Sequence, residues 1–275
     1  MRTIVQLSDL HFGTTLPETL DPLLELLAQI KPDLVIVSGD FTQRAHRRQF
    51  IAAHAYVQQL PTPRLLVPGN HDVPLYDIIR RFVSPLGRYR THITSELAPS
   101  FVDAEIAVIG INTARSLTFK GGAIDATQID EATTQLARLP SSVARIVVTH
   151  HPFDIPVGLT GVDVVGGAER AISAFAPHKV DLFLSGHLHL IHRASTSKYV
   201  AGYDAPMLVA GTAISTRARG EPNSFFVFRV EQESIACETR TWSAGARDFL
   251  ASESQRFRRI SGRDAGEPQP PSVGL

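Results

Sequence analysis

Five short runs of metal-seeking side chains occur in fixed order along this 275-residue chain. They are Asp9-Leu10-His11, Gly39-Asp40, Gly69-Asn70-His71-Asp72, Thr149-His150-His151-Pro152 and Gly186-His187-Leu188-His189. Imidazole and carboxylate together, with no thiolate in any run, suit borderline divalent or trivalent ions such as Mn, Fe, Zn and Co. An all-oxygen set would favour Mg or Ca. The number of donors suits two ions. Two ions about 3.5–4 Å apart can share a carboxylate, bind one substrate phosphate and hold a hydroxide between them. An isolated His is more often a satisfied core or surface residue, and an isolated Asp after a strand is more often a helix cap. Five runs at five predicted strand ends outweigh that reading.

The elements around the runs explain how they could meet. Thr3–Leu7, Leu34–Val37, Arg64–Val67, Ile106–Ile111, Ile146–Thr149 and Val180–Leu184 read as strands. Pro22–Ile30, Gln49–Leu60, Gln128–Leu139 (with Thr127 as N-cap) and Ala168–Ala176 read as helices. Such alternation argues for parallel pairing with right-handed crossovers, whose strand ends converge in space. Extended backbone at Asp9-x-His11 would put both side chains on one face. In His187-x-His189 the same geometry would serve, or a turn would send each His to a different ion. Glycines before Asp40, Asn70 and His187 let the backbone turn and leave room for metal and phosphate. Asn70 would be a neutral oxygen donor. Met207–Ala210, Phe225–Val230 and Ser234–Thr241 have no helices between them and predict antiparallel pairing in a second sheet. The expectation is a single two-sheet domain over 1–259, followed by a disordered tail over 260–275 that is rich in Pro, Gly and Ser.

Bulk properties restrict the function further. Formal net charge is zero, so no overall basic field draws the molecule to nucleic acid or an anionic membrane. Three arginine clusters stand out: Arg44, Arg47 and Arg48; Arg80, Arg81, Arg88 and Arg90; and Arg217 with Arg219. Their plain reading is a solvated face. One cysteine, Cys237, excludes an intramolecular disulfide. A strand that begins at Thr3 leaves no room for a secretory leader, and no apolar run has bilayer length, so a cytoplasmic protein without a membrane partner is expected.

In order and spacing, Asp-x-His, Gly-Asp, Gly-Asn-His-Asp, His and Gly-His-x-His resemble the calcineurin-like binuclear metallophosphoesterases, over about residues 1–240. The Gly-Asn-His-Asp form, the His-His-Pro stretch and Ala210-Gly211-Thr212 further resemble bacterial class III cyclic nucleotide and glycerophosphodiester phosphodiesterases. The resemblance implies an α/β fold with two mixed β-sheets in a sandwich flanked by helices. It implies two metal ions, Mn, Fe or Zn. Asp9, His11 and His189 would hold the first, Asn70, His150 and His187 the second, and Asp40 would bridge them. His71 would be a catalytic acid near the metals, or would stabilise charge on the phosphorus centre, and Asp72 would orient it. His151 would support the ligands from behind or be structural. The implied reaction is hydrolysis of a small phosphodiester by the bridging hydroxide. A homodimer through the late strands stays open.

Two rival readings remain at this level. The same centre can cut nucleic acid, which the arginine clusters favour and the lack of clustered stacking aromatics opposes. A non-catalytic binding scaffold would be expected to have lost ligands, and none is lost here. After Gly39-Asp40 relatives often carry acidic or small polar residues. This chain has Phe41-Thr42-Gln43-Arg44, a departure that, with Ile111-Asn112-Thr113, bears on substrate choice.

Overall fold

Strand β1 (Arg2–Leu7), helix α1 (Leu20–Ile30), strand β2 (Leu34–Ser38), helix α2 (Arg47–Val57) and strand β3 (Arg64–Val67) alternate as the sequence pattern predicts. The computed structural model describes residues 1–117 and 121–261. The three strands pair in parallel. All of β2 is buried, because it is covered on both faces. Val35 and Val37 pack towards Leu23 and Leu27 of α1 and Phe50 and Ala53 of α2, whereas Leu34 and Ile36 face the interior between two sheets.

The first sheet has the order β12 (Asp248–Arg258), β11 (Ser234–Ser243), β10 (Ser224–Val230), β1, β2, β3. The second runs β4 (Ser100–Val102), β5 (Ile106–Gly110), β6 (Ala144–Val148), β7 (Leu182–Ser185), β9 (Pro206–Val209), β8 (His192–Ser195). Both are mixed: β10 to β12 are antiparallel in the first, and β4 and β8 are antiparallel edges of an otherwise parallel second. Their inner faces meet through Ile4, Ile36 and Val67 on one side and Val108, Ile146 and Leu184 on the other. Helices α5 (Ala126–Ala137) and α6 (Ala168–Phe175) cover the second sheet with Ile129, Leu136, Ile172 and Phe175. The architecture is α/β, a sandwich of two mixed sheets flanked by helices. Two short helices, α3 (Ile78–Val83) and α4 (Gly87–His92), follow β3.

Three expectations need correction. The late strands do not form a second sheet of their own. Strand β9 joins β7 in parallel, as its continuous burial suits, and β10 lies antiparallel to β1 with Ile4 opposite Phe228. Phe226 and Phe228 then fill the space between the sheets, which an isolated hairpin layer could not offer them. Helix α5 is capped by Asp125, not Thr127: the Asp125 carboxylate accepts the Gln128 N–H at 3.0 Å, and Gln128 reaches back to the Asp125 N–H at 3.2 Å. Finally, Ile260 and Ser261 are not part of a loose tail. Their N–H groups donate to Asp181 at 2.6 and 2.8 Å, and Arg259 is buried beside it. Residues 262–275 lie outside the described residues. Cys237 is a buried core residue between the sheets.

Candidate metal centre

The runs converge at the carboxyl ends of β1, β2, β3, β6 and β7. Their backbone is not extended there. Asp9 (φ 55°), His11 (φ 47°), Asp40 (φ 56°), His187 (φ 74°) and His189 (φ 58°) all take left-handed conformations. Such residues are uncommon and cost about 1–3 kcal/mol each unless the surroundings enforce them. The surroundings do: Asp9 and His11 donate their N–H groups to the carbonyls of Gly39 and Asp40 at 3.1 and 2.9 Å. The strand alternation expected at Asp9-x-His11 is therefore replaced by left-handed turns, which still aim both side chains into one pocket. At Gly39 (φ 98°) an added Cβ would lie 2.3 Å from the His150 ring, and at Gly69 it would lie 2.1 Å from the Asp40 carboxylate. Both glycines give way to side chains of the site.

Asp9, His11, Asp40 and His189 form one buried group of donor atoms. The Nε2 atoms of His11 and His189 face each other at 2.9 Å, with Asp9 Oδ1 at 3.5 and 3.1 Å and Asp40 Oδ2 at 3.5 Å from His11. Asp9 Oδ2 accepts from Ser8 Oγ and from the His187 N–H at 2.6 and 2.9 Å. Asp9 Oδ1 and Asp40 Oδ2 are buried with no hydrogen-bond partner. Two orphaned carboxylate oxygens turned towards imidazole nitrogens are costly in a protein alone and suited to a cation. Burial alone would raise the Asp9 carboxyl, but the neighbouring His189 and His11 imidazoles hold it well below the usual carboxylate range.

The second group is His150, His151 and His187. His150 Nε2 lies 3.1 Å from Asn70 Oδ1 and 3.4 Å from Asp40 Oδ1. Asp40 thus has one oxygen towards each group. Backbone carbonyls orient the rings: Ser38 O accepts from His150 Nδ1 at 2.8 Å, and Arg217 O accepts from His189 Nδ1 at 3.0 Å, which turns each Nε2 inward. Burial opposes charge on His150, yet Asp40 pushes it up to about 9. Burial and the His150 charge push His187 down to about 3. The residue sequence reasoning set aside, His151, stands within this group, with Nδ1 2.7 Å from Thr113 Oγ1.

His71 and Asp72 depart from the expected pairing. The Asp72 carboxylate accepts from the N–H groups of Gly69, Phe41 and Thr42 at 2.9, 3.2 and 3.0 Å, and from Thr42 Oγ1 at 3.1 Å. It ties the Asp40 loop to the Asn70 loop and does not bond to the His71 ring. Burial and the Asp40 charge raise Asp72 to about 7. The His71 ring is held by Gln43 and Arg217 instead. A carbonyl only accepts, so the 2.7 Å contact with Gln43 O puts a proton on Nδ1. Arg217 Nη1 then donates to Nε2 at 3.0 Å. Burial, only partly offset by Asp40, lowers His71 to about 4. In this arrangement His71 offers a lone pair, not a proton. Sequence reasoning missed Arg217 as part of this site: it lies outside all five runs, and no spacing marks it.

Beside His71 a cavity of about 240 Å³ is lined by Gln43, Arg44, Asn70, Val73, Leu75, Arg81 and Arg217. The arginine clusters are thus not one solvated face. Arg44 and Arg217 turn to this cavity, while buried Arg81 donates to the carbonyls of Ser116 and Pro74. No helix among the described residues is long and apolar enough to cross a membrane.

The family model described as calcineurin-like phosphoesterase matches residues 2–190. The chain is 25% identical over 199 residues to a probable cyclic nucleotide phosphodiesterase of a Synechococcus strain, covering 68% of this chain and 73% of that protein. It is 26% identical over 171 residues to a probable glycerophosphodiester phosphodiesterase of Arcobacter nitrofigilis, covering 61% of this chain and 59% of the relative. Among solved structures, a purple acid phosphatase from yellow lupin seeds superposes with a TM-score of 0.76 at 13% identity, covering 100% of this chain and 57% of that one. A dimetal phosphatase from Danio rerio gives 0.66 at 15% identity, covering 94% and 99%. At those identities the two structures speak for the fold alone.

Proposed function

This chain belongs to the calcineurin-like phosphoesterase family, and on that premise we propose that it hydrolyses small phosphodiesters, of the cyclic nucleotide or glycerophosphodiester kind, with two bound metal ions drawn from Mn, Fe and Zn. The observation that carries the reading is Asp40, whose two oxygens face the two donor groups.

Asp9, His11 and His189 would hold one ion, Asn70, His150 and His187 the other, and Asp40 both. His151 is close enough to the second group to support it through His187, at a ring-centroid distance of 4.7 Å. Such ions, when bound, lower the pKa of water and neutralise charge on phosphoryl oxygens. The protein's own part is positioning. Ser38 O and Arg217 O keep the two Nε2 atoms inward, and Asp72 locks the two loops that carry Asp40 and Asn70. Of the two roles implied for His71, charge stabilisation is better supported than proton donation. Its Nδ1–H is held by Gln43 O and its Nε2 accepts from the Arg217 guanidinium, so His71 would act by aiming Arg217 at charge growing on the departing oxygen.

The deciding assay compares bis(p-nitrophenyl) phosphate with p-nitrophenyl phosphate on Mn²⁺-loaded protein. A higher kcat/KM on the diester is expected, and a clear preference for the monoester would refute the reading. Single-stranded DNA should survive the same incubation. Its degradation would favour a nuclease.

A further inference from the structure

Two guanidinium groups stand beside the candidate metal centre without a direct ion pair. Arg44 and Arg217 both line the cavity beside His71 and both lean on Gln43: Arg217 Nη1 donates to Gln43 Oε1 at 3.0 Å, and Arg44 Nη1 to Gln43 O at 3.4 Å. Neither makes an ion pair with a carboxylate among the described residues. Elsewhere in the molecule such pairs are common, as in Arg2–Asp103, Arg80–Asp77 and Arg256–Glu231. Arg217 is also half-buried: burial, the largest effect, weighs against its charge, Asp40 and Asp9 favour it, and the nearby Arg44 opposes it again. Desolvating a cation beside a like charge is unfavourable unless an anion arrives.

Charge counting says which anion. Resting on the two-metal phosphodiesterase reading, two divalent ions would be matched by Asp9, Asp40, one diester phosphate and one hydroxide. Arg44 is left over, and Arg217 commits only its Nη1 to His71 and Gln43. We propose that they form a subsite for a second phosphate group carried by the substrate, so that the preferred substrate class is a phosphoanhydride-linked or otherwise doubly phosphorylated diester. Guanidinium forks match phosphate oxygens in geometry as well as charge. The apolar walls at Val73 and Leu75 leave room for the organic part. No new covalent step is involved: the bond from the scissile phosphorus to the leaving oxygen breaks, the bond to the entering water oxygen forms, and the second phosphate leaves or stays as a bound anion.

The test uses the full chain with Arg44→Ala and Arg217→Ala. On Mn²⁺-loaded protein, kcat/KM is measured for a nucleoside diphosphate ester and for bis(p-nitrophenyl) phosphate. Arg44→Ala should lower the ratio of the two at least tenfold, the effect of losing one charge-assisted contact, whereas Arg217→Ala, which also loses the contact with His71, should slow both substrates and is read by pyrophosphate binding. On chelator-treated protein, calorimetric titration with inorganic pyrophosphate should show binding that weakens at least fivefold in each variant. A ratio that stays constant in Arg44→Ala, or pyrophosphate that binds wild type no better than the variants, overturns the subsite. Loss of activity on both substrates in wild type would instead overturn the diesterase reading. If Arg217→Ala does not fold, Arg44→Ala and Arg217→Lys carry the test, with Lys expected to retain part of the pyrophosphate affinity.

Discussion

Replacing Asp40 should disconnect the protein from metal altogether. Its Oδ2 is buried without a partner 3.5 Å from His11, and its Oδ1 lies 3.4 Å from His150, so one side chain serves both donor groups. An ion present at about a thousand times its Kd stabilises the folded state by about 4 kcal/mol. In a chain of this size that raises Tm by about 2 °C per kcal/mol, or about 8 °C per ion and about 16 °C for two. Thermal unfolding of chelator-treated protein titrated with Mn²⁺ measures this directly. Wild type should show a rise of that order, saturating with two equivalents. His187→Ala should keep about half, because the group of Asp9, His11, Asp40 and His189 is left intact. Asp40→Ala should keep almost none. An Asp40→Ala protein that retains the full rise, or a wild type that shows no rise, would refute the placement of Asp40 between two ions.

Three further outcomes are expected. His71→Ala should lower kcat on bis(p-nitrophenyl) phosphate at least tenfold while two metal equivalents still bind by elemental analysis, since the ring meets Arg217 and Gln43 and is assigned no metal. In chelator, stability should fall as pH rises: the folded pKa of His150, about 9, lies above its unfolded value of about 6.5, so its contribution is complete below pH 6.5 and lost as pH passes through 9. Urea melts across that range check the sign, and a rising stability would contradict it. Asp181→Asn should cost about 3–5 kcal/mol by urea unfolding, because it leaves Arg259 buried without its carboxylate and turns an amide towards the N–H groups of Ile260, Ser261 and Arg145.

How much of this was legible in the sequence depended on the range of the interactions. Strand β2 could be read because four aliphatic residues in a row have few alternatives to a strand covered on both faces, and Gly39-Asp40 marks its end. The late strands could not be assigned to their sheets, because nothing local tells β10 that its partner is β1, more than two hundred residues earlier; the fit of Phe226 and Phe228 between the sheets decides that. Within the site, the five runs announced which side chains gather, since each run carries its own donors. Their left-handed backbone was hidden, because it is imposed by hydrogen bonds such as His11 N–H to Asp40 O between separate loops. The pairing of Asp72 with His71 was what the family resemblance implied. It fails because three backbone N–H groups from two loops converge on Asp72 first.

All seven side chains assigned to the cations precede residue 190, whereas Arg217, which leans on His71, arrives from the loop between β9 and β10. The proposed second-phosphate subsite therefore draws on two distant stretches of the chain, Arg44 after β2 and Arg217 after β9. That loop also steadies His189, whose Nδ1 donates to Arg217 O, so exchanging the Arg217 side chain with its backbone left in place is the handle for redirecting the enzyme to new substrates.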